Sequence, residues 1–300
     1  HCSGSTIFIF RLLLYFDFLF CEVLILICKK IRLTVDGKET EAELTCYIKE
    51  QIEGREDALR KAVVICPGGA YAYVSDREAD PVAMQFLAMD VQVFILNYSV
   101  APHIFPESLL QLAAAVAYVR DHAAGWYIDP DEIGVLGFSA GGHLAASLGV
   151  FWNRDFLSDA LKLSPEMFRP NRLMLAYPVI TSGEFTHEET IRNLMGEEGH
   201  CPVSREFLSL ENQIGSQVPP TFLWHTDADQ TVPVENALLF AMALKRAKVS
   251  LELHIYREGR HGLALANTET RYDVPYDNKG SFDIPSCQSW ISLIHQWLQG

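Results

Sequence analysis

From residue 31 onward the apolar positions fall into two alternating patterns. Short runs rich in β-branched and aromatic residues, at 62–66 (AVVIC), 91–97 (VQVFILN), 133–136, 173–177, 221–225 and 251–256, read as strands. The first two are almost wholly apolar, as expected of strands covered on both faces of a parallel sheet. Between them lie stretches with helical spacing, at 81–89, 106–122, 139–150, 233–248 and 289–298; in the second, Leu109, Leu112, Ala113, Val116 and Val119 share one face. Ahead of this alternation, residues 31–35 and 43–48 flank Asp36-Gly37 as the arms of a hairpin would. Strand and helix in regular succession predict an α/β architecture, a mostly parallel sheet with helices on both faces.

Two segments fall outside this rhythm. Residues 183–217 are longer and more polar than an ordinary connection and contain a helical stretch at 206–214, so they are expected either to form a small cap over the carboxyl edge of the sheet or to be a peripheral excursion. Residues 7–28 form a nearly continuous apolar run broken by Arg11, Asp17 and Glu22. Its apolar side chains favour bilayer insertion by roughly 5 to 10 kcal/mol, and three charges at up to about 3 kcal/mol each oppose it by nearly as much. The basic start and small-residue cleavage site of a secretory signal are missing. A membrane anchor, an apolar appendage packed on the domain and sequence foreign to the domain all remain open. Residues 1–30 are therefore set apart, and a single domain is expected over 31–300.

Composition adds exclusions. The chain has 300 residues, 24 Lys+Arg against 38 Asp+Glu, a formal charge of −14 and 49% hydrophobic positions. Its acidic balance, without a Lys/Arg cluster, argues against nucleic-acid binding. Seven cysteines, at 2, 21, 28, 46, 66, 201 and 287, include no C-x-x-C pair and signal neither a disulfide framework nor a zinc site. Free thiols point to a reducing, cytoplasmic compartment, with a membrane-anchored or secreted protein the alternative if residues 7–28 are a targeting segment. His187-Glu188-Glu189 has no second histidine at metal spacing, so no metal is expected.

The chemistry concentrates at three strand ends. Gly137-Phe138-Ser139-Ala140-Gly141 sits between an expected strand and an expected helix, where a nucleophile elbow needs small residues two before and two after its serine. Serine needs a general base and an acid to orient it, and in such folds the acid and then the histidine follow at later strand ends. Asp227 and Asp229 both follow the strand 221–225; Asp229, farther beyond it, is preferred. His261, between Arg260 and Gly262 after the strand 251–256, is preferred as base over His254 inside that strand. His143 and His225 read as packing or supporting residues. An oxyanion hole needs two backbone N–H groups, one from the residue after the nucleophile, Ala140, and one from the loop after strand 62–66, where Gly69 is the first choice and Gly68 the second. Tyr71 and Ala70 are candidate pocket walls, with core packing an equal alternative for the tyrosine.

Together with these, Cys66-Pro67-Gly68-Gly69-Ala70-Tyr71, the run SDREADPVAMQFL at 75–87, Asn97-Tyr98-Ser99-Val100-Ala101-Pro102, GFSAGGHLAA at 137–146 and FLWHTDADQTVPVENALLF at 222–240 resemble one group. It is the α/β-hydrolases of the acetyl esterase and acetyl-xylan-esterase-like type, related to hormone-sensitive-lipase-like and prolyl-oligopeptidase-like enzymes. The resemblance covers about residues 31–300. It implies a serine esterase acting without a cofactor on short acyl esters, often acetyl groups on plant-polysaccharide fragments. Ala70 departs from the Pro-Gly-Gly-Gly-Tyr usual in the group, and Asp90 stands where glycine commonly precedes the next strand. Alanine keeps its N–H, so the oxyanion hole is expected to survive provided residue 70 does not require positive φ. A peptidase of the prolyl-oligopeptidase type would need a gating domain that residues 1–30 are too short to form. A silent hydrolase-fold binding protein would have little use for a complete triad. The alcohol half of the substrate and the oligomeric state, a homo-oligomer included, stay open.

Overall fold

A computed structural model of the chain describes residues 26–55, 57–196, 201–272 and 282–300. Among these, eight strands make one sheet: β1 (Leu26–Val35), β2 (Lys38–Lys49), β3 (Arg60–Cys66), β4 (Gln92–Asn97), β5 (Ile128–Phe138), β6 (Arg172–Ala176), β7 (Thr221–Thr226) and β8 (Leu251–Tyr256). Their spatial order is β1-β2-β4-β3-β5-β6-β7-β8. The first three in that order pair antiparallel, and every pairing from β4 to β8 is parallel. The helices are α1 (Asp80–Ala88), α2 (Glu107–Asp121), α3 (Ser139–Phe151), α4 (Asp155–Leu161), α5 (Pro165–Phe168), α6 (Glu188–Met195), α7 (Glu235–Arg246), α8 (Pro285–Gln288) and α9 (Trp290–Gln299).

The alternation of side chains along each strand divides the core in two. Ala62, Val64 and Cys66 of β3 join the side packed by α2, α3 and α7. Val63 and Ile65 join the opposite side, packed by α1 and α9. The expected α/β sheet with helices on both faces is thus observed.

Three local differences from the sequence-based expectation have clear causes. β1 reaches back to Leu26, the first described residue, rather than starting near Ile31, because Leu26 to Lys30 pair with Lys49 to Thr45 of β2. The tail of the apolar run is therefore sheet and belongs with the domain; residues 7–25 of the run lie outside the described residues. The hairpin turns at Asp36 (φ +49°) and Gly37 (φ +71°), the two positive φ values that a tight two-residue turn demands. Residues 206–214 form two short 3₁₀ turns (Glu206–Leu208 and Leu210–Asn212) instead of one helix, and α6 earlier in the same segment is a helix not expected from the sequence, although Glu188 and Glu189 open it and Ile191 and Leu194 share its buried face. That segment packs at the carboxyl edge of the sheet: the Asn193 side chain donates to the carbonyl of Ala70 at 2.8 Å, and the Leu208 carbonyl lies 3.0 Å from Nε2 of His143.

Asp90 takes the φ of +64° that explains a glycine at this position. Here the aspartate is held by Arg60 at 2.8 Å and Lys49 at 2.9 Å.

Candidate active site

β5 passes directly into α3, and the whole change of direction falls on Ser139, whose φ is +52°. So sharp a turn brings backbones together. A Cβ at Gly137 would collide with the Gly141 carbonyl, and one at Gly141 with the Cys66 carbonyl, so both flanking positions tolerate only hydrogen. The Ser139 hydroxyl lies 2.7 Å from Nε2 of His261. Nδ1 of that ring lies 2.6 Å from Oδ2 of Asp229. A carboxylate oxygen can only accept, so Nδ1 carries the proton and Nε2 is left to accept from the serine.

Asp229 is fixed before it meets the histidine. Its other oxygen accepts the N–H groups of Thr231 at 2.9 Å and Val232 at 3.0 Å, an Asx-type turn that leads into α7. Burial pushes this carboxyl upward, but the neighbouring His261, the hydrogen bond to it and the Val232 N–H prevail and hold its pKa below the ordinary value. Asp227, the competing aspartate, is exposed. The loop after β8 that carries His261 is tied at several points. Thr226 Oγ1 donates to the Gly259 carbonyl at 2.9 Å, and the Arg77 guanidinium donates to the carbonyls of Gly262 at 2.8 Å and Thr270 at 2.6 Å.

The loop after β3 separates the two glycine candidates. The N–H of Gly68 donates to Oε2 of Glu78 at 2.7 Å, so it is not free for an oxyanion, which overturns Gly68 as the second choice. Gly69, at φ +130°, accepts at its carbonyl from Ala72 and Tyr73, and its N–H has no acceptor among the described residues. The N–H of Ala140 lies in the first turn of α3, where no intrahelical acceptor exists. Ala70 does require positive φ, at +54°, as does Tyr71. Hydrogen bonds to both carbonyls hold this conformation, from the Asn193 side chain to Ala70 and from the Ala101 N–H to Tyr71 at 2.7 Å. Ala70 is partly exposed, whereas the Tyr71 ring is buried, its hydroxyl 3.2 Å from Nδ1 of His143. Tyr71 thus takes the core-packing alternative and is not a pocket wall.

His143 and His225 support the site from below. Burial pushes both down to about 4, so both are neutral near pH 7. His143 must donate from Nε2 to the Leu208 carbonyl and accept the Tyr71 hydroxyl at Nδ1. Nδ1 of His225 accepts the Thr226 N–H at 2.8 Å.

Glu78, Tyr177 and Asn193 were missed by sequence reasoning. Tyr177 had a usable signal, since it follows β6 at the same carboxyl edge as the serine and the aspartate. Glu78 lies inside the 75–87 run, where no local feature sets it apart from the other charged residues.

Sheet order, nucleophile turn and the succession of serine, aspartate and histidine define the class: this is an α/β-hydrolase. A solved structure described as an acetyl ester-xyloside bifunctional hydrolase from Caldicellulosiruptor lactoaceticus superposes with a TM-score of 0.71 at 38% identity, over 86% of this chain and 87% of that one. The match to the BD-FAE family covers residues 51–244, and the chain belongs to that family. Among curated relatives, the endo-1,4-beta-xylanase B of Butyrivibrio fibrisolvens is 34% identical over 71% of this chain. The acetylxylan esterase of Xylanibacter ruminicola is 30% identical over 84% of it. The chain spans 34% of the first relative and 49% of the second.

Proposed function

We propose that this chain is a serine esterase that removes short acyl groups, acetyl above all, from esters of carbohydrates such as acetylated xylo-oligosaccharides. The observation that carries the reading is the unbroken relay from Ser139 Oγ through His261 to Asp229, at 2.7 and 2.6 Å. The names of the acetylxylan esterase and the acetyl ester-xyloside hydrolase support the substrate class.

In this reading Ser139 Oγ attacks the ester carbonyl carbon while Nε2 of His261 takes its proton. The carbonyl oxygen becomes an oxyanion and is met by the N–H groups of Gly69 and Ala140 at the positive end of α3. Asp229 keeps the imidazole in its donating tautomer and stabilises the imidazolium. Collapse breaks the bond to the alcohol oxygen, which leaves with the proton from Nε2, and the acyl group stays on Ser139. Water then attacks the acyl carbon, His261 takes its proton and returns it to Ser139, and the carboxylic acid departs.

Ser139→Ala is expected to lower kcat/KM for p-nitrophenyl acetate by about 10⁴-fold or more. Unchanged turnover in that variant would refute the assignment. Acetate release from acetylated xylo-oligosaccharides, compared with longer acyl esters and with proline p-nitroanilides, tests the substrate class. Faster turnover of the anilides would transfer the reading to a peptidase.

A further inference from the structure

Glu78 ends the short turn Asp76–Glu78 and is 3% exposed. No cation pairs with it among the described residues. A buried carboxyl group is costly, and an apolar side chain of similar volume would fill the space more cheaply, so packing alone does not account for it. Its two oxygens serve two different loops. Oε2 accepts the N–H of Gly68 at 2.7 Å, beside the proposed oxyanion donor Gly69. Oε1 accepts the hydroxyl of Tyr177 at 2.7 Å, and that hydroxyl oxygen in turn accepts the N–H of Ala264 at 2.8 Å, in the loop that carries His261.

Both connections are stiff. The hydroxyl of Tyr98 donates to the Pro67 carbonyl at 2.6 Å, so the peptide between Pro67 and Gly68 is gripped at its oxygen by Tyr98 and at its N–H by Glu78. A peptide plane held at both ends resists rotation and fixes where the chain enters Gly69. On the other side, the Tyr177 ring stands edge-on to the His261 ring, with centroids 5.2 Å apart and planes at 74°.

We propose that Glu78 is a positioning residue for the esterase reaction, acting through Gly68 and Tyr177 to hold the oxyanion donor of one loop at a fixed distance from the imidazole of the other. The proposal rests on the ester-hydrolysis reading above. Errors of about 1 Å in such geometry cost on the order of 100-fold in rate, and they fall on the transition state rather than on substrate binding.

The test compares Glu78→Ala, Glu78→Gln and Tyr177→Phe with the wild-type chain on p-nitrophenyl acetate, with Ser139→Ala as the blank and circular dichroism melts as the folding control. Glu78→Ala and Tyr177→Phe are expected to lower kcat roughly 10- to 100-fold while KM stays within about threefold. Glu78→Gln is expected to fall between wild type and Glu78→Ala, because its amide oxygen still accepts from Gly68 while its NH₂ can only donate to the Tyr177 oxygen and leaves the phenolic proton without this acceptor. If folded Glu78→Ala and Tyr177→Phe keep wild-type kcat and lose only melting temperature, the role is structural and the proposal falls. It falls equally if Glu78→Gln is as impaired as Glu78→Ala. Should Glu78→Ala fail to fold, Tyr177→Phe and Glu78→Gln decide the matter. Wild-type chain without Ser139-dependent turnover would bring down the esterase reading itself, an outcome distinct from active wild type with unaffected variants.

Discussion

At the amino ends of the parallel strands, Asp90 meets Arg60 at 2.8 Å and Lys49 at 2.9 Å, and Glu132 meets Arg172 at 2.8 Å and Lys61 at 3.3 Å, with the carboxylates and several of their partners still reached by solvent. At the carboxyl ends, Asp229, Glu78, His143 and His225 are buried, and hydrogen bonds to backbone, hydroxyl or imidazole groups replace most ion pairs. Apart from the buried Arg60, these are charged side chains that water reaches and that can exchange partners, so their contribution to stability is modest and largely insensitive to small displacements. Buried groups with one geometry each have no substitute partner, so a change there acts on orientation and protonation. One edge of the sheet can drift without consequence for chemistry, and the other cannot.

The largest expected contrast comes from the carboxylate proposed to orient His261. Asp229→Asn should keep the Asx-type turn yet favour the wrong imidazole tautomer, lowering kcat by about 10³- to 10⁴-fold. Asp227→Asn, two residues away and exposed, should leave kcat within about twofold. Steady-state kinetics of the pair decides between the two aspartates, and equal impairment would erase the distinction.

Next in size is a pH effect centred on two buried histidines of the carboxyl edge. The folded-state pKa of His143 and of His225 is pushed down to about 4, below the ordinary imidazole value of about 6.5. Between those values the unfolded chain binds protons that the folded chain refuses, so stability falls as pH drops through that window. By pH 5 the loss is roughly 2 kcal/mol for each histidine. Asp229, whose pKa is lowered, contributes stability that is lost only at more acid pH, as it protonates. Denaturant midpoints at pH 7 and pH 5 should show the drop, and His143→Gln should shrink it. An unchanged midpoint would mean that the histidines find solvent.

A smaller effect belongs to the opposite edge. Asp90→Ala removes the partner of Arg60, which is 4% exposed but keeps the Gln51 side chain at 3.0 Å and the Glu50 carbonyl at 3.2 Å. A loss of about 2 kcal/mol is expected, with kcat unchanged. If kcat fell as well, the independence of the two edges would be lost.

The same division separates what the sequence made legible from what it did not. Runs such as 62–66 and the strand-elbow-helix at Ser139 were readable because burial on both faces and a sharp turn each impose residue types locally. Asp229 and His261 followed from strand order. Glu78 and Tyr177 depend on contacts between residues 99 positions apart, and the commitment of Gly68 to Glu78 is a single hydrogen bond with no local signature. That Leu26 to Lys30 belong to β1 was hidden because they end a long apolar run whose pattern marks no strand boundary.

The smallest effect is expected at Ala70, where the two edges can be compared residue for residue. Asp90 and Ala70 both occupy positive φ, at positions where the group that the sequence resembles is expected to carry glycine. Asp90 is steadied by charged partners, whereas among the described residues Ala70 is held by the Asn193 amide on its carbonyl. A left-handed conformation costs a non-glycine residue about 1 to 2 kcal/mol, and glycine gives back about 0.5 to 1 kcal/mol through its freer unfolded state. Ala70→Gly should therefore stabilise the chain by up to about 1 kcal/mol and leave kcat within about twofold, because the N–H of Gly69 keeps its direction from the peptide before it. Chemical denaturation with parallel kinetics measures both. A variant that gained stability and lost turnover would mean that the strained alanine, rather than the grip on Pro67 and Gly68, aims the proposed oxyanion donor.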